Sequence, residues 1–335
     1  MEPEKIPTPT PAQPNKTRRK ILILAGLAGS GFAAAMLSKD GWDRFFLPKA
    51  NLSNSSQPKA NSSNSTQKFE TVTVNSKGEI INRSPGQAQV MTENLGNGVT
   101  LEMVKIPGGR FLMGSPETEV WSLESESPQH YVDVPEFFMG KYPVTQAQWQ
   151  AVMGNNPSEF KGANRPVENV SWYDATKFCQ KLSLRTGKKY SLPSHSQWEY
   201  ACRARTSTPF YFGETITSEL ANYRGNSTFA DAPIGKYREE TTDVGIFPPN
   251  AFGLYDMHGN VWEWCQDVWH SNYNGVPTDG STCETGGDGN RLSPRGGSWF
   301  DYPNQCRSAF RDLTVRCDLL SNLLGFRVVC NSGRT

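Results

Sequence analysis

Apolar and polar positions alternate along residues 99–106 (VTLEMVKI). A Pro-Gly-Gly step separates that run from a second apolar stretch at 110–113, a pattern that predicts a β-hairpin. A further strand is predicted over 131–138. Helical periods follow. Thr145 and Gln148 form a capping box that opens a short helix, and Ser171 with Asp174 repeats the device ahead of Ala175, Phe178, Cys179 and Leu182, which share one helical face. Gly187 ends that helix, and Ser194 with Gln197 opens a third, carrying Trp198, Ala201 and Cys202. Beyond it Gly and Pro punctuate the chain, with short strands expected at 295–299 (RGGSW), 306–311 (CRSAFR) and 325–329 (GFRVV). The paired glycines before Ser298 let one backbone approach another closely. The pattern is α+β, with several short helices around small antiparallel sheets and little regular structure.

The amino-terminal pattern is different. Residues 1–20 are polar and basic, ending Lys16-Thr17-Arg18-Arg19-Lys20, and 21–37 are apolar and uncharged. That combination reads as a signal peptide or a membrane anchor, with both forms open, and the basic flank places the first residues in the cytoplasm. The run Thr17-Arg18-Arg19-Lys20-Ile21-Leu22 also resembles a bacterial twin-arginine export signal, with ordinary flanking charges as the alternative. Residues 38–90, rich in Asn, Ser, Lys and Pro, read as a disordered tether, leaving a folded domain at 91–331 on the periplasmic or otherwise extracytoplasmic side.

Composition narrows the picture in two respects. With 335 residues and a net charge of +1, the chain can bury one large core or two modest ones and shows no electrostatic signature of a nucleic-acid partner. Gly 30 and Pro 23, beside Trp 9, Phe 17 and Tyr 11, describe an aromatic core threaded by turns rather than a helical bundle. His130, His195, His258 and His270 are scattered without a pair at metal-ligand spacing, and neither a phosphate loop nor a serine-hydrolase elbow is present.

The densest arrangement is residues 251–264, AFGLYDMHGNVWEW. Asp256 and Glu263 flank the Gly259-Asn260 bend, so a loop folded there can aim both carboxylates and several carbonyls at one hard cation, of which calcium is the type case. The alternative makes Tyr255, Trp262 and Trp264 core aromatics and the two carboxylates turn caps.

Taken in order, GRFLMGS, RPVENVSWYDA, LPSHSQWEYACR, GLYDMHGNVWEW, RGGSWF and GFRVV resemble the formylglycine-generating enzyme (sulfatase-modifying factor) family over roughly 91–330. The resemblance implies a C-type-lectin-like fold with structural calcium and a substrate groove. In family enzymes a sulfatase cysteine is oxidised to formylglycine at a copper centre held by two cysteines. Carried over residue by residue, Asp256 and Glu263 match side-chain calcium ligands, and Met257, Gly259 and Val261 match carbonyl donors. Asn222 falls where a second calcium site begins, although Lys236 stands near an expected acidic ligand. Ser298 matches the active-site serine, but Asp301 occupies the place of the first copper cysteine and Cys306 does not align with the second. Cu(I) wants soft thiolates, so a copper centre is not expected, and a harder ion such as iron is the alternative for a site built on Ser298, Asp301 and Cys306. The resemblance also implies disulfides Cys179–Cys330 and Cys202–Cys306, as export to an oxidising compartment would favour; Cys265, Cys283 and Cys317 receive no role.

Three functions follow as expectations. The leading one is an exported family member, membrane-tethered if 21–37 is retained as an anchor, with an altered active site and a peptide or protein client of the sulfatase kind. The others are a true formylglycine-generating oxidase and a non-catalytic lectin-fold binding module.

Overall fold

A computed structural model describes residues 62–312 and 314–331. The basic segment, the signal or anchor and the first part of the tether, residues 1–61, lie outside the described residues. The remainder of the expected tether is ordered: β1 (Ser62–Val74) and β2 (Ile80–Asn94) pair as an antiparallel hairpin from Ser62↔Glu93 to Val74↔Ile80. Its turn is built locally, with Asn75 Oδ1 accepting from the amides of Lys77 and Glu79 at 3.0 Å and Gly78 at φ +79°. The hairpin needs little apolar content of its own because it extends an existing sheet. Its buried apolar residues are Val72, Val74, Val90 and Met91, beside the buried Glu93, and Phe69 packs on Gly253, where a Cβ would come within 2.8 Å of its ring.

The Pro-Gly-Gly step at 107–109 is a corner rather than a hairpin turn. β3 (Thr100–Ile106) pairs with β6 (Phe137–Gly140), while β4 (Gly109–Met113) pairs with β5 (His130–Val134). One antiparallel ribbon therefore runs through both pairs and bends where Pro107-Gly108 packs against Pro135-Glu136; a Cβ on Gly108 would lie 3.0 Å from the Glu136 amide. Pro135, which lacks an N–H, splits the single strand expected at 131–138 in two. The main sheet has the order β1-β2-β3-β6-β13-β7, with β7 at Tyr190–Ser191 and β13 at Val329–Asn331. β3 is buried on both faces: Leu101 and Met103 enter one aromatic cluster with Trp149, Phe178 and Phe326, and Val104 and Ile106 enter another with Trp198, Phe210 and Tyr223.

The helices match their sequence signals. α1 (Gln146–Met153), α2 (Trp172–Thr186) and α3 (His195–Arg203) each start at a complete capping box, on Thr145, Ser171 and Ser194, and α2 ends on Gly187 at φ +72°. Residues 204–261 contain no helix or named strand, and β8 (Trp262–Glu263) then pairs in parallel with β12 (Leu324–Gly325). β9 (Val268–Trp269), β10 (Asp288–Leu292) and β11 (Val315–Arg316) make a small separate sheet. The strands expected at 295–299 and 306–311 are irregular backbone instead: Arg295 makes one bridge to Glu263, and Pro303–Cys306 is a 3-10 turn.

Candidate functional site

The 251–264 loop does gather oxygens on one cation, and that cation is Arg327. The β8–β12 pairing sets Gly325 opposite Glu263, so Arg327, two residues on, reaches the Glu263 carboxylate. Its Nε donates to Glu263 Oε2 and its Nη2 to Oε1, both at 2.7 Å. The guanidinium also donates to the carbonyls of Gly140 at 3.0 Å and Tyr255 at 2.9 Å, and Trp198 Nε1 donates to Glu263 Oε2 at 2.7 Å. A planar fork satisfied on every side suits arginine.

The residues expected as calcium ligands have the following partners. Glu263 is spent on Arg327 and Trp198. The Gly259 carbonyl accepts the Val261 amide at 2.9 Å, and the Met257 carbonyl faces the Cys202 thiol at 3.9 Å. Asp256 sits at φ +54°, with Oδ2 accepting the Gly245 amide at 2.7 Å and Oδ1 buried without a donor. Burial pushes its carboxyl up to about 6. Asn222 bridges to Gly259 and donates to the Glu240 carbonyl at 2.8 Å, leaving its Oδ1 without a donor. Among the described residues no group of three or more His, Cys, Asp and Glu is placed to hold a metal.

The second constellation lies after the paired glycines. Gly296 and Gly297 have φ +94° and +76°, and a Cβ on Gly297 would fall against Cys306 Sγ, which is the close approach the sequence required. Ser298 and Asp301 meet: the Ser298 hydroxyl and its amide, the latter at 3.0 Å, both donate to Asp301 Oδ2. Burial raises the Asp301 carboxyl to about 6 against the opposing effect of those bonds. Cys306 packs beside them but turns its sulfur to the Tyr302 carbonyl at 3.8 Å, and burial, with Asp301 nearby, holds its thiol well above the ordinary range.

All seven cysteines are free, so the implied Cys179–Cys330 and Cys202–Cys306 bridges are corrected. Cys202 Sγ lies 3.6 Å from Ser308 Oγ and 3.9 Å from the His258 ring, while Cys330 Sγ faces the Asn331 carbonyl. His258 is a structural link: Nδ1 donates to the Cys306 carbonyl at 2.7 Å, Nε2 accepts the Tyr211 amide at 3.1 Å, and burial lowers its pKa to about 3.

Above this buried layer is an exposed group that sequence reasoning missed. The Arg224 guanidinium lies 4.8 Å from the Tyr302 ring centre and 5.7 Å from those of Phe300 and Tyr237. Its amide donates to the Asp301 carbonyl at 3.0 Å, which ties the surface to the Ser298–Asp301 turn. Trp299 extends the patch toward Phe160 and Tyr237, while Phe300 and Tyr302 are 45% and 47% exposed. The run WFDY at 299–302 was a visible signal; Arg224, far away in sequence, was not. The other basic motif residues have structural partners. Buried Arg295 donates to Glu199 Oε2 at 2.6 Å, and buried Arg307 binds Glu126 and Glu119.

With this geometry described, comparison with known proteins defines the class. The family model of the sulfatase-modifying factor enzyme 1-like domain matches residues 87–332. The chaperone protein LppX of Paenibacillus barcinonensis is 32% identical over 218 residues, covering 52% of this chain and 74% of that protein. The formylglycine-generating enzyme of Mus musculus is 27% identical over 286 residues, 68% of this chain and 74% of the enzyme. Among solved structures, PvdO from Pseudomonas aeruginosa superposes with a TM-score of 0.61 at 33% identity, covering 69% of this chain and 94% of PvdO. The chain belongs to the sulfatase-modifying factor family and has the fold of the formylglycine-generating enzymes.

Proposed function

We propose that this chain is a copper-independent member of the family that holds a peptide or protein client on the Arg224–Phe300–Tyr302 surface. The observation that carries the reading is the Ser298–Asp301 pair: a carboxylate tied to the serine hydroxyl and amide stands where the first copper thiol was expected. Cys306, the nearest thiol in sequence, turns its sulfur to the Tyr302 carbonyl. Among the described residues Asp301 belongs to no group of three or more His, Cys, Asp and Glu placed to hold a metal such as iron. The surface above has the composition of a protein-binding hot spot, with Arg, Tyr and Phe half exposed around a rigid turn. A polypeptide client fits the relatives, one named as a formylglycine-generating enzyme and one as a chaperone. Export, with or without retention by 21–37, belongs to the same proposal; it rests on sequence outside the described residues, and the free cysteines lend it no help.

The test combines chemistry with binding. The purified domain is incubated with Cu(I), reductant, oxygen and a cysteine-containing sulfatase peptide, and the peptide mass is followed. The mass is expected to stay unchanged, while the same peptide binds and Phe300→Ala or Tyr302→Ala weakens binding about tenfold. Conversion by the wild type that disappears in Cys306→Ser would establish the oxidase reading instead.

A further inference from the structure

A second site lies away from Ser298, Asp301 and Cys306. A cleft of about 400 Å3 runs between β4 and the carboxyl end of α3, lined by residues 108–112, Gln129, Tyr200, Arg203 and 205–207. Alternate side chains of a strand point to opposite faces. A groove touched by consecutive residues of one strand therefore runs along its edge. β4 pairs with β5 in a two-stranded sheet, and among the described residues nothing pairs with its other edge. Gly108 and Gly109 at the mouth are exposed, with the Tyr200 hydroxyl beside Gly109 donating to the Pro107 carbonyl at 2.9 Å, and Phe111 and Leu112 supply apolar wall.

The charge of the lining is one-sided: three arginines and no carboxylate. Arg203 is committed, with Nε on Glu199 at 2.9 Å and Nη2 on the Gly114 carbonyl at 2.9 Å. Arg110 and Arg205 are exposed and form none of the ion pairs among the described residues. Each lies over a ring, Arg110 at 4.6 Å from the Tyr131 centre and Arg205 at 5.5 Å from that of Phe252. A stacked guanidinium keeps its N–H edge for a carboxylate. Two acids flank the cleft. Asp133 stands opposite Arg110 in the β4–β5 register, yet Arg110 turns to Tyr131, and Glu136 is held by Lys105 at 3.1 Å. Arg205 is also carried on strained backbone: Ala204 and Arg205 both adopt positive φ, +43° and +80°, where L side chains are disfavoured.

We propose that this cleft takes an extended acidic segment of another polypeptide as an added strand on β4, its main chain pairing with the open edge and its carboxylates meeting Arg110 and Arg205. This reading is independent of the client surface at Arg224. The probe is a short fluorescent peptide alternating valine with glutamate, titrated into the full chain and followed by anisotropy. Saturable binding is expected, weakened at least tenfold by Arg205→Gln and by Arg110→Gln, by lysine in place of glutamate, and by N-methylation of the peptide backbone. Circular dichroism and thermal midpoints of the two variants confirm that they stay folded, as surface substitutions should. Absence of binding overturns the proposal. So does equal binding of the N-methylated peptide, or full competition by free glutamate at matching concentration, which would mark a small-anion site.

Discussion

At the scale of single residues, Glu263 and Arg327 decide how the central loop is read. Both side chains are buried, and each is the other's charge partner. Removing one side of such a pair leaves an uncompensated buried charge, at a cost of about 3–5 kcal/mol. Glu263→Ala is expected to lower stability to urea by that order, and the loss should be the same with excess calcium as with chelator. A loss that appears only when calcium is present would restore Glu263 as a calcium ligand. Here the sequence was partly legible. Spacing across Gly259-Asn260 pointed to oxygens gathered for a hard cation, and the loop does bring the Glu263 carboxylate and the Tyr255 carbonyl together. It could not show that Arg327, delivered by the parallel pairing at Gly325, also meets Glu263. The same limit applies to Cys202 and Cys306, whose resemblance-based pairing ignored the way Gly297 and Ser308 fill the space around each sulfur.

At the scale of elements, whatever depends on local hydrogen bonding was readable. Three capping boxes set three helix starts because the cap and its N3 partner are neighbours in the chain. Strand pairing was less readable. Pro-Gly-Gly is as good a corner as a turn, and only the β5–β6 partner decides between them. The β1–β2 hairpin was hidden for a related reason: a strand that leans on an existing sheet can be polar on most positions. This gives a truncation test. The reference is a chain starting at residue 62. One starting at 87, the edge of the family match, loses buried Val72 and Val74 and the Phe69 contact with Gly253. Full burial of one valine is worth about 1.5–3 kcal/mol, so the shorter chain should melt several degrees lower. Equal midpoints would make the hairpin an appendage.

At the scale of the whole molecule, the described domain hides many ionisable groups, and its stability should therefore depend on pH. Burial raises Asp256, Asp267 and Asp301 to about 6 and Glu168 to about 7. Each folded-state value lies above the ordinary one, so its favourable contribution is complete in acid and is lost as pH rises through the folded pKa. His258, held near 3, and His195, pushed well below its ordinary value by burial, act the other way: each takes up a proton on unfolding below about 6.5, so each costs stability as pH falls. The four carboxylates outnumber the two histidines, and the net expectation is falling stability from about pH 4 to pH 7. Glu168 gives the cleanest single readout because its pKa lies highest. Its Oε1 accepts the Phe160 amide at 2.8 Å, while Oε2 is buried without a donor. Glutamine keeps the first bond and cannot ionise. Relative to wild type, Glu168→Gln should gain about 1–2 kcal/mol between pH 5 and pH 8, less than the bare shift implies because solvent near the 159–162 loop screens the charge. The check is urea unfolding of both proteins across that range; parallel curves would mean that Glu168 ionises in the folded state as freely as in the unfolded chain.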